Sequence, residues 1–324
     1  ASRGHRSLAA LAVDTEPVAG TLIEAEVEQS VQSQPSTPGF SVLGNRLPDA
    51  DAYDPRTNLN NQPWSLPVVM KGRTGSLRLT QQLPQGLQLV AHAMRQHLTS
   101  DDRIAFPFGC GNEGDYTRYC SDGSFDLYDF RSEGERRTTD AVDLSLAGSA
   151  TTGALRHRVV LGLLHTHHEA RFHRQAYNWV GVGTPDGLTV LPPDPSLTDE
   201  NTNRDERSTE WRLQDRIELG RSGSLWLGAR HTALDRRSVR TDGSRASAYT
   251  QSFTTPWLAY SHAVGEGGMA YASWGQGIES TVAPNRARYT NAGQALAALR
   301  SRGVELGYKR QSKALDLNVA VFDI

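Results

Sequence analysis

The stretch Val304-Glu305-Leu306-Gly307-Tyr308-Lys309-Arg310-Gln311-Ser312-Lys313-Ala314-Leu315-Asp316-Leu317-Asn318-Val319-Ala320-Val321 decides the fold. Val304, Leu306 and Tyr308 alternate with Glu305, Gly307 and Lys309. After the polar connector 311–313, Leu315, Leu317, Val319 and Val321 fall on one side, and Asp316 and Asn318 on the other. A period of two is that of an extended strand with unlike faces. Two such runs joined by a short polar turn predict an antiparallel hairpin. One row suits lipid and the other suits water, which is how strands cross a bilayer in a barrel.

The same alternation runs outward through the chain. Ile23, Ala25, Val27 and Val31 oppose Glu24, Glu26 and Glu28. Leu77 and Leu79 oppose Arg78 and Thr80, Val142, Leu144 and Leu146 oppose Asp143 and Ser145, and Leu155, Val159, Leu161 and Leu163 oppose Arg156 and Arg158. About twelve strands are predicted, near 7–14, 20–33, 67–82, 87–106, 125–147, 154–175, 204–219, 225–240, 247–263, 269–282, 302–311 and 314–324. Their connectors take turns. Short ones lie near 14–20, 83–86, 147–153, 220–224, 265–268 and 311–313; long ones lie near 34–66, 107–124, 177–203, 241–246 and 283–301. Tight turns on one rim and large loops on the other mark an all-β antiparallel meander of the outer-membrane barrel type. Asp215 breaks the apolar row of Trp211, Leu213, Ile217 and Leu219 near a turn. Pro256 predicts a bulge or kink, and 292–300 predicts a short loop helix. Trp226, Trp257, Tyr260, Tyr271, Trp274 and Tyr308 lie near strand ends, where interfacial aromatic girdles are expected.

Composition excludes other classes. Mean hydropathy is −0.51, and the longest apolar runs, Leu8–Val13 and Val159–Leu164, fall far short of the roughly 20 residues of a membrane helix. A net charge of −2 leaves no nucleic-acid footprint. The only lysines among 324 residues are Lys71, Lys309 and Lys313, so arginine supplies nearly all the positive charge. An Arg-lined lumen for anionic ligands accounts for that, as does codon bias. Arg3 and Arg6 precede an apolar run too short for a signal-peptide core. The chain also stops inside the strand-like pattern 320–324, which together suggest a mature or internal piece of a longer protein.

Catalytic and metal motifs are weak. Gly109–Gly114 spells GxGxxG, but residues 115–120 directly after it are loop-like rather than helical. His168-Glu169-Ala170-Arg171-Phe172-His173 is one residue too long for HExxH, and its two histidines fall on opposite faces of a strand; His165 and His167 share a face but make only two ligands. The carboxylates at 194–205 read as loop calcium or, more simply, as a solvated loop. With no nucleophile elbow, no catalytic residue is assigned, and no resident cofactor or metal. Cys110 and Cys120 fall in one loop and predict a disulfide, and hence an oxidising compartment or the cell surface. Trp64, Phe108, Tyr116, Arg118, Tyr119, Tyr177 and Trp179 are the candidate ligand-binding residues. Phe106, Tyr128 and Arg174 stand beside them. Aromatics next to arginines can grip a flat, anionic metal chelate by stacking and charge; loop–loop packing is the competing use of such residues. An outer-membrane barrel enzyme of lipase or protease type would need a Ser/His/carboxylate set at the rim, for which His165 or His167 is the only start. A soluble all-β binding module would need equal blade repeats, which are not seen.

Four motifs in order carry a resemblance. Gln214-Asp215, Gly228-Ala229-Arg230, Tyr271-Ala272-Ser273-Trp274-Gly275 and Glu305-Leu306-Gly307-Tyr308-Lys309 resemble the Gln–Asp, Gly–x–Arg, Tyr–x–Ser and Glu–x–Gly–x–Lys strands of TonB-dependent siderophore receptors. The segment 110–131 resembles a ferric-siderophore receptor loop with its small disulfide. The resemblance implies a barrel of the 22-stranded type with an N-terminal plug, in the outer membrane of a Gram-negative bacterium. Outer loops would capture a ferric siderophore, and the TonB–ExbB–ExbD complex would energise its release through the plug. Residues 1–324 read as a fragment of the barrel domain, surrounded by outer-membrane lipid. No plug, no TonB-contacting box and no closing strand with a terminal aromatic are found.

Overall fold

Thirteen strands form one antiparallel sheet in the computed structural model, which describes residues 3–49, 53–54, 56–286, 288–313 and 315–324. They are β1 (His5–Val18), β2 (Thr21–Gln34), β3 (Val68–Leu83), β4 (Leu87–Pro107), β5 (Phe125–Thr152), β6 (Leu155–Arg171), β7 (Ala176–Gly183), β8 (Thr202–Leu219), β9 (Gly223–Arg240), β10 (Ser247–Ala263), β11 (Gly268–Glu279), β12 (Leu299–Gln311) and β13 (Asp316–Asp323). Twelve pair with their neighbours in chain order, while β7 leaves the meander and pairs with the far end of β5. No plug domain stands among the described residues, and β1 and β13 are each paired on one side only.

The predicted meander is therefore present, with β7 as the strand the sequence hid. All its residues but Ala176 lie in the predicted loop 177–203. Other corrections are local. The strands run further into the short connectors, to Val18 and Thr152. Residues 292–298 form turns and a bridge rather than a helix, and β12 already begins at Leu299. Pro256 pairs with Ala229 without a register shift, so it makes no bulge. The β10–β11 ladder begins at the next residue, Trp257 opposite Gly275. Proline, lacking an N–H, stands where β10 has no second partner to donate to.

Register assigns every side chain to a face. Leu11 opposes Val27, Ala25 opposes Leu77, Leu77 opposes Ala93, and Ala93 opposes Val142. Further on, Leu163 opposes Trp211, Leu227 opposes Leu258, Leu258 opposes Trp274, and Leu306 opposes Val321. The large members of this band, such as Leu11 at 62% and Leu306 at 59%, stay exposed, as a lipid-facing surface must. The intervening row is polar and lines the lumen. There Arg212 donates two hydrogen bonds of 2.7 Å to Asp143, and Arg230 pairs with Glu210 at 3.2 Å.

The aromatic girdle is half of what the sequence predicts. Tyr260, Trp274 and Tyr308 fall on the lipid row, whereas Trp226, Trp257 and Tyr271 fall on the lumen row. Trp226 lies under the Arg216 guanidinium, 4.8 Å from its ring centre. The glycines of two motifs explain the other rings: a Cβ at Gly228 would overlap the Trp257 ring, and one at Gly307 would overlap Tyr271. Each glycine is a slot into which a ring from the next strand lies flat. Asp215, on the lipid row near the turn rim, is met by His157, with Nδ1 2.7 Å from Oδ2.

Candidate ligand-binding site

Above the apolar band, β4, β5 and β7 continue as a three-stranded extension. Its geometry turns on one irregularity: between the pairs Ser100–Glu135 and Asp102–Ser132, β5 carries one residue more than β4. The bulge is on β5, so β4 keeps its alternation, and Ile104 and Phe106 continue the lumen row of Gln96, Leu98 and Ser100. Phe106 opposes Tyr128, Ile104 opposes Phe130, and across the next ladder Tyr128 opposes Trp179 and Phe130 opposes Tyr177.

The opposite face is the buried core of the molecule. Ala105, Phe125 and Leu127, each at most 2% exposed, pack against Leu43, Leu59 and Tyr119 from the loops, with Tyr53, Trp64 and Leu191 around them. Side-chain amides replace a ladder at this seam. Asn60 accepts from the Ala105 N–H at 2.8 Å and donates to the Ser36 carbonyl at 3.2 Å. Gln62 donates to the Thr189 carbonyl at 2.7 Å and accepts from the Leu191 N–H at 2.9 Å, and the Trp64 indole N–H donates to the Leu191 carbonyl at 3.0 Å. Buried backbone groups must be paired, and these residues pair them where no strand passes. Asp129, fully buried here, receives Arg131 through bonds of 2.8 and 2.9 Å. Cys110 and Cys120 form the predicted disulfide, with Cα atoms 5.0 Å apart, and hold the loop 108–124 against this core.

On the lumen side the rings form a continuous platform. Tyr177 stacks on Tyr128 at 4.7 Å, Phe106 lies 6.1 Å from Tyr177 and 5.6 Å from Phe108, and Phe130 meets Tyr177 edge-on at 6.2 Å. Trp179, 56% exposed, donates its indole N–H to Asp126 Oδ1 at 3.0 Å, while Asp126 Oδ2 accepts from the Gly111 N–H at 2.7 Å. Asp126 thereby ties the platform's edge to the disulfide loop. Burial pushes the Tyr177 phenol up to about 12, with Tyr128 adding to it and the charge of Arg286, from the loop 280–298, opposing it. Burial likewise raises Tyr128, with Asp126 adding to it. Both phenols are neutral donors at physiological pH.

Just below the platform lies a charged girdle. Glu135 accepts from Ser100 Oγ at 2.8 Å, from Ser132 Oγ at 2.6 Å and from Arg137 at 2.7 Å; the Arg137 guanidinium lies over the Phe172 ring, 5.1 Å from its centre. Asp102, on the same row, has its carboxyl pushed up to about 6, first by burial and then by Glu135.

The structure divides the seven candidate residues. Phe108 and Tyr177 belong to the platform, Trp179 edges it, and exposed Tyr116 bears electrostatically on Tyr128. Trp64 and Tyr119 lie in the loop core; Tyr119 is 1% exposed, its hydroxyl donates to the Gly39 carbonyl at 3.3 Å, and burial pushes it up to about 12. Arg118 pairs with Asp115 at 2.7 Å and donates to Asn45, away from the platform. Arg174, beside the candidates, pairs with Glu200 at 2.5 Å. Sequence reasoning misses Phe130, a ring of the platform, and Arg286, whose charge bears on Tyr177. Phe130 is within its reach, because Asp126, Tyr128 and Phe130 share a period-two face; Arg286 is not, because only the loop's path brings it there. The acidic residues at 194–205 have separate uses: Asp194 accepts from the Ser196 N–H, and Asp199 from Gln175. Among the described residues one metal-like group remains, Cys110, Glu113 and Cys120, and its two sulfurs are joined to each other.

The fold matches solved receptors. It superposes on BauA, the ferric preacinetobactin receptor of Acinetobacter baumannii, with a TM-score of 0.75 at 16% identity, covering 99% of this chain and 46% of that one. For FpvA of P. aeruginosa bound to heterologous pyoverdines the TM-score is 0.77 at 15% identity, with 99% and 41% covered. For the siderophore receptor PiuA of A. baumannii it is 0.73 at 16% identity, with 99% and 50% covered. The chain thus spans half or less of the length of these receptors. No curated protein sequence matches it. The model of the TonB dependent receptor-like β-barrel family matches residues 22–324, nearly the whole chain, and the meander, the long-loop rim and the ordered strand motifs agree with it, so the chain belongs to the TonB-dependent receptor β-barrel family, one of receptors rather than enzymes.

Proposed function

We propose that this chain is the barrel wall and part of the recognition rim of an outer-membrane receptor of a Gram-negative bacterium. Its cargo is a ferric siderophore, and the TonB–ExbB–ExbD complex drives uptake. The observation that carries this reading is the platform of Phe106, Phe108, Tyr128, Phe130 and Tyr177 at the lumen mouth, above a polar wall. Rings offer flat faces to a chelate, the neutral phenols of Tyr128 and Tyr177 offer hydrogen bonds, and Arg286 and Arg137 offer charge to an anionic one. The siderophore receptors of the same fold support it. Iron enters as cargo, within the chelate.

The test is fluorescence titration of the protein in neutral detergent with ferric hydroxamate, catecholate and mixed siderophores, Trp179 beside the platform being the reporter. Saturable quenching by at least one ferric chelate, weaker for its iron-free form, is expected. A flat response to the whole panel would sink the cargo assignment.

A further inference from the structure

Among the described residues the ladders set one arginine directly opposite another at four positions: Arg103 against Arg131, Arg136 against Arg171, Arg158 against Arg216 and Arg212 against Arg230. Like charges so placed repel, and an anion beside them relieves the repulsion. In three of the pairs the protein supplies that anion. Glu133 meets Arg103 and Asp129 meets Arg131, Glu169 meets Arg171, and Asp143 and Glu210 meet Arg212 and Arg230. Arg158 and Arg216 form no ion pair with any described carboxylate.

This pair stands on the lumen row at the turn rim, three residues from Leu155, where β6 begins, and three from Leu219, where β8 ends. A cavity of about 340 Å³ opens over it. Arg216 is held in place. Its guanidinium lies over the Trp226 ring, 4.8 Å from the centre, and Nη2 donates to Ser224 Oγ at 3.4 Å. Its Nε is buried and has no hydrogen-bond partner. Arg158 makes no hydrogen bond to a described residue, and its neighbour across the other ladder is Ser149. Gln82 and Gln88, which oppose each other on β3 and β4, line the same cavity with neutral amides. The one carboxylate on its lining, Glu218, opposes Arg156 and meets it at 3.6 Å. Two guanidiniums thus face a polar space that brings them no anion of its own.

We propose that this cavity binds a small oxyanion, a carboxylate or a phosphate, between Arg158 and Arg216, with Ser149 as a neutral donor. Guanidinium forks match two oxygens at a time. An anion here relieves the repulsion of the pair and answers the buried Arg216 Nε. The site is separate from the aromatic platform. Ala170, the partner of Arg137 below that platform, lies about twelve residues further along β6, roughly 40 Å away.

Isothermal titration calorimetry of the chain in neutral detergent tests it, with inorganic phosphate and succinate as probes in Tris chloride. Saturable binding, with each anion displacing the other, is expected. Tighter succinate makes the ligand a carboxylate and tighter phosphate makes it a phosphate; either supports the site. Arg158→Gln and Arg216→Gln should each weaken binding by about tenfold or more. Arg158→Lys should lose only a few-fold, because it keeps the charge and gives up the fork. Phosphate should raise the Tm of the parent and not that of Arg158→Gln, whereas without anion Arg158→Gln should melt no lower than the parent, its repulsion being gone. Arg95→Gln, on the lipid row, should bind as the parent does. Far-UV circular dichroism checks that each variant keeps its strands, and Arg158→Lys carries the test if the glutamine variants unfold. No saturable heat with either anion, unchanged binding in both glutamine variants, or the same loss in Arg95→Gln would each overturn the proposal.

Discussion

Tyr177 lies face to face on Tyr128, with ring centroids 4.7 Å apart and planes 5° from parallel, although in the ladder Tyr177 is paired with Phe130. The contact is the diagonal one between neighbouring strands, within reach of aromatic side chains. It makes one surface from residues of two strands, β5 and β7.

Removing that ring should show in cargo binding before stability. An aromatic pair contributes about 0.5–1.5 kcal/mol beyond its buried area, so Tyr177→Ala is expected to weaken ferric-siderophore affinity about tenfold and Tyr177→Phe by no more than about twofold. Titration of both variants with the ferric chelate that binds the parent checks this. Equal losses would place the effect in the hydroxyl.

The disulfide is expected to order its loop and not the sheet. Cys110 and Cys120 are separated by 10 residues, and closing a loop of that size stabilises it by roughly 2–3 kcal/mol. Replacing both by serine should speed proteolysis within 108–124 and expose Tyr119, while the far-UV signal of the strands stays. Loss of that signal would mean that the loop core supports the whole sheet.

Asn60 has no apolar equivalent. Truncation to alanine leaves the Ala105 N–H buried and unpaired, which costs about 1–3 kcal/mol. Faster amide exchange at Ala105 and Leu127, with exchange in β8–β9 unchanged, is the expected result. Protection unaltered throughout would mean that another group takes over the bond.

Asp102 sets a pH dependence with a definite sign. Its folded-state carboxyl is raised from 3.8 to about 6, so between those values the native protein holds more protons than the unfolded chain, and stability falls as pH rises through that window. Asp102→Asn should remove the decline and be more stable than the parent at pH 7.5, with little difference near pH 3. Thermal unfolding at both pH values decides it, and a parent that gains stability between pH 4 and 6 relative to the variant would contradict the assignment.

The sheet was legible in the sequence because a strand with lipid on one side and water on the other must alternate, and nothing distant can mask that. Ile23 to Val27, Val142 to Leu146 and Leu315 to Val321 each declare their faces within a few residues. The tight turns and the disulfide are local for the same reason. Three things were decided only by tertiary structure. β7 pairs with the end of β5, Phe125–Arg131, that its sequence neighbour β6 does not reach, so no local pattern marks Ala176–Gly183 as a strand. Tyr119 and Tyr177 look alike in sequence, both aromatics in polar loops, yet one is core and the other platform. Which it becomes depends on which face of the extension a loop covers, and side-chain amides such as those of Asn60 and Gln62 fix that covering from far along the chain. The charge of Arg286 bears on Tyr177 only through the path of a loop. Alternation is dictated by each residue's immediate surroundings, whereas the site is made of contacts between segments, and those depend on how the segments close over one another.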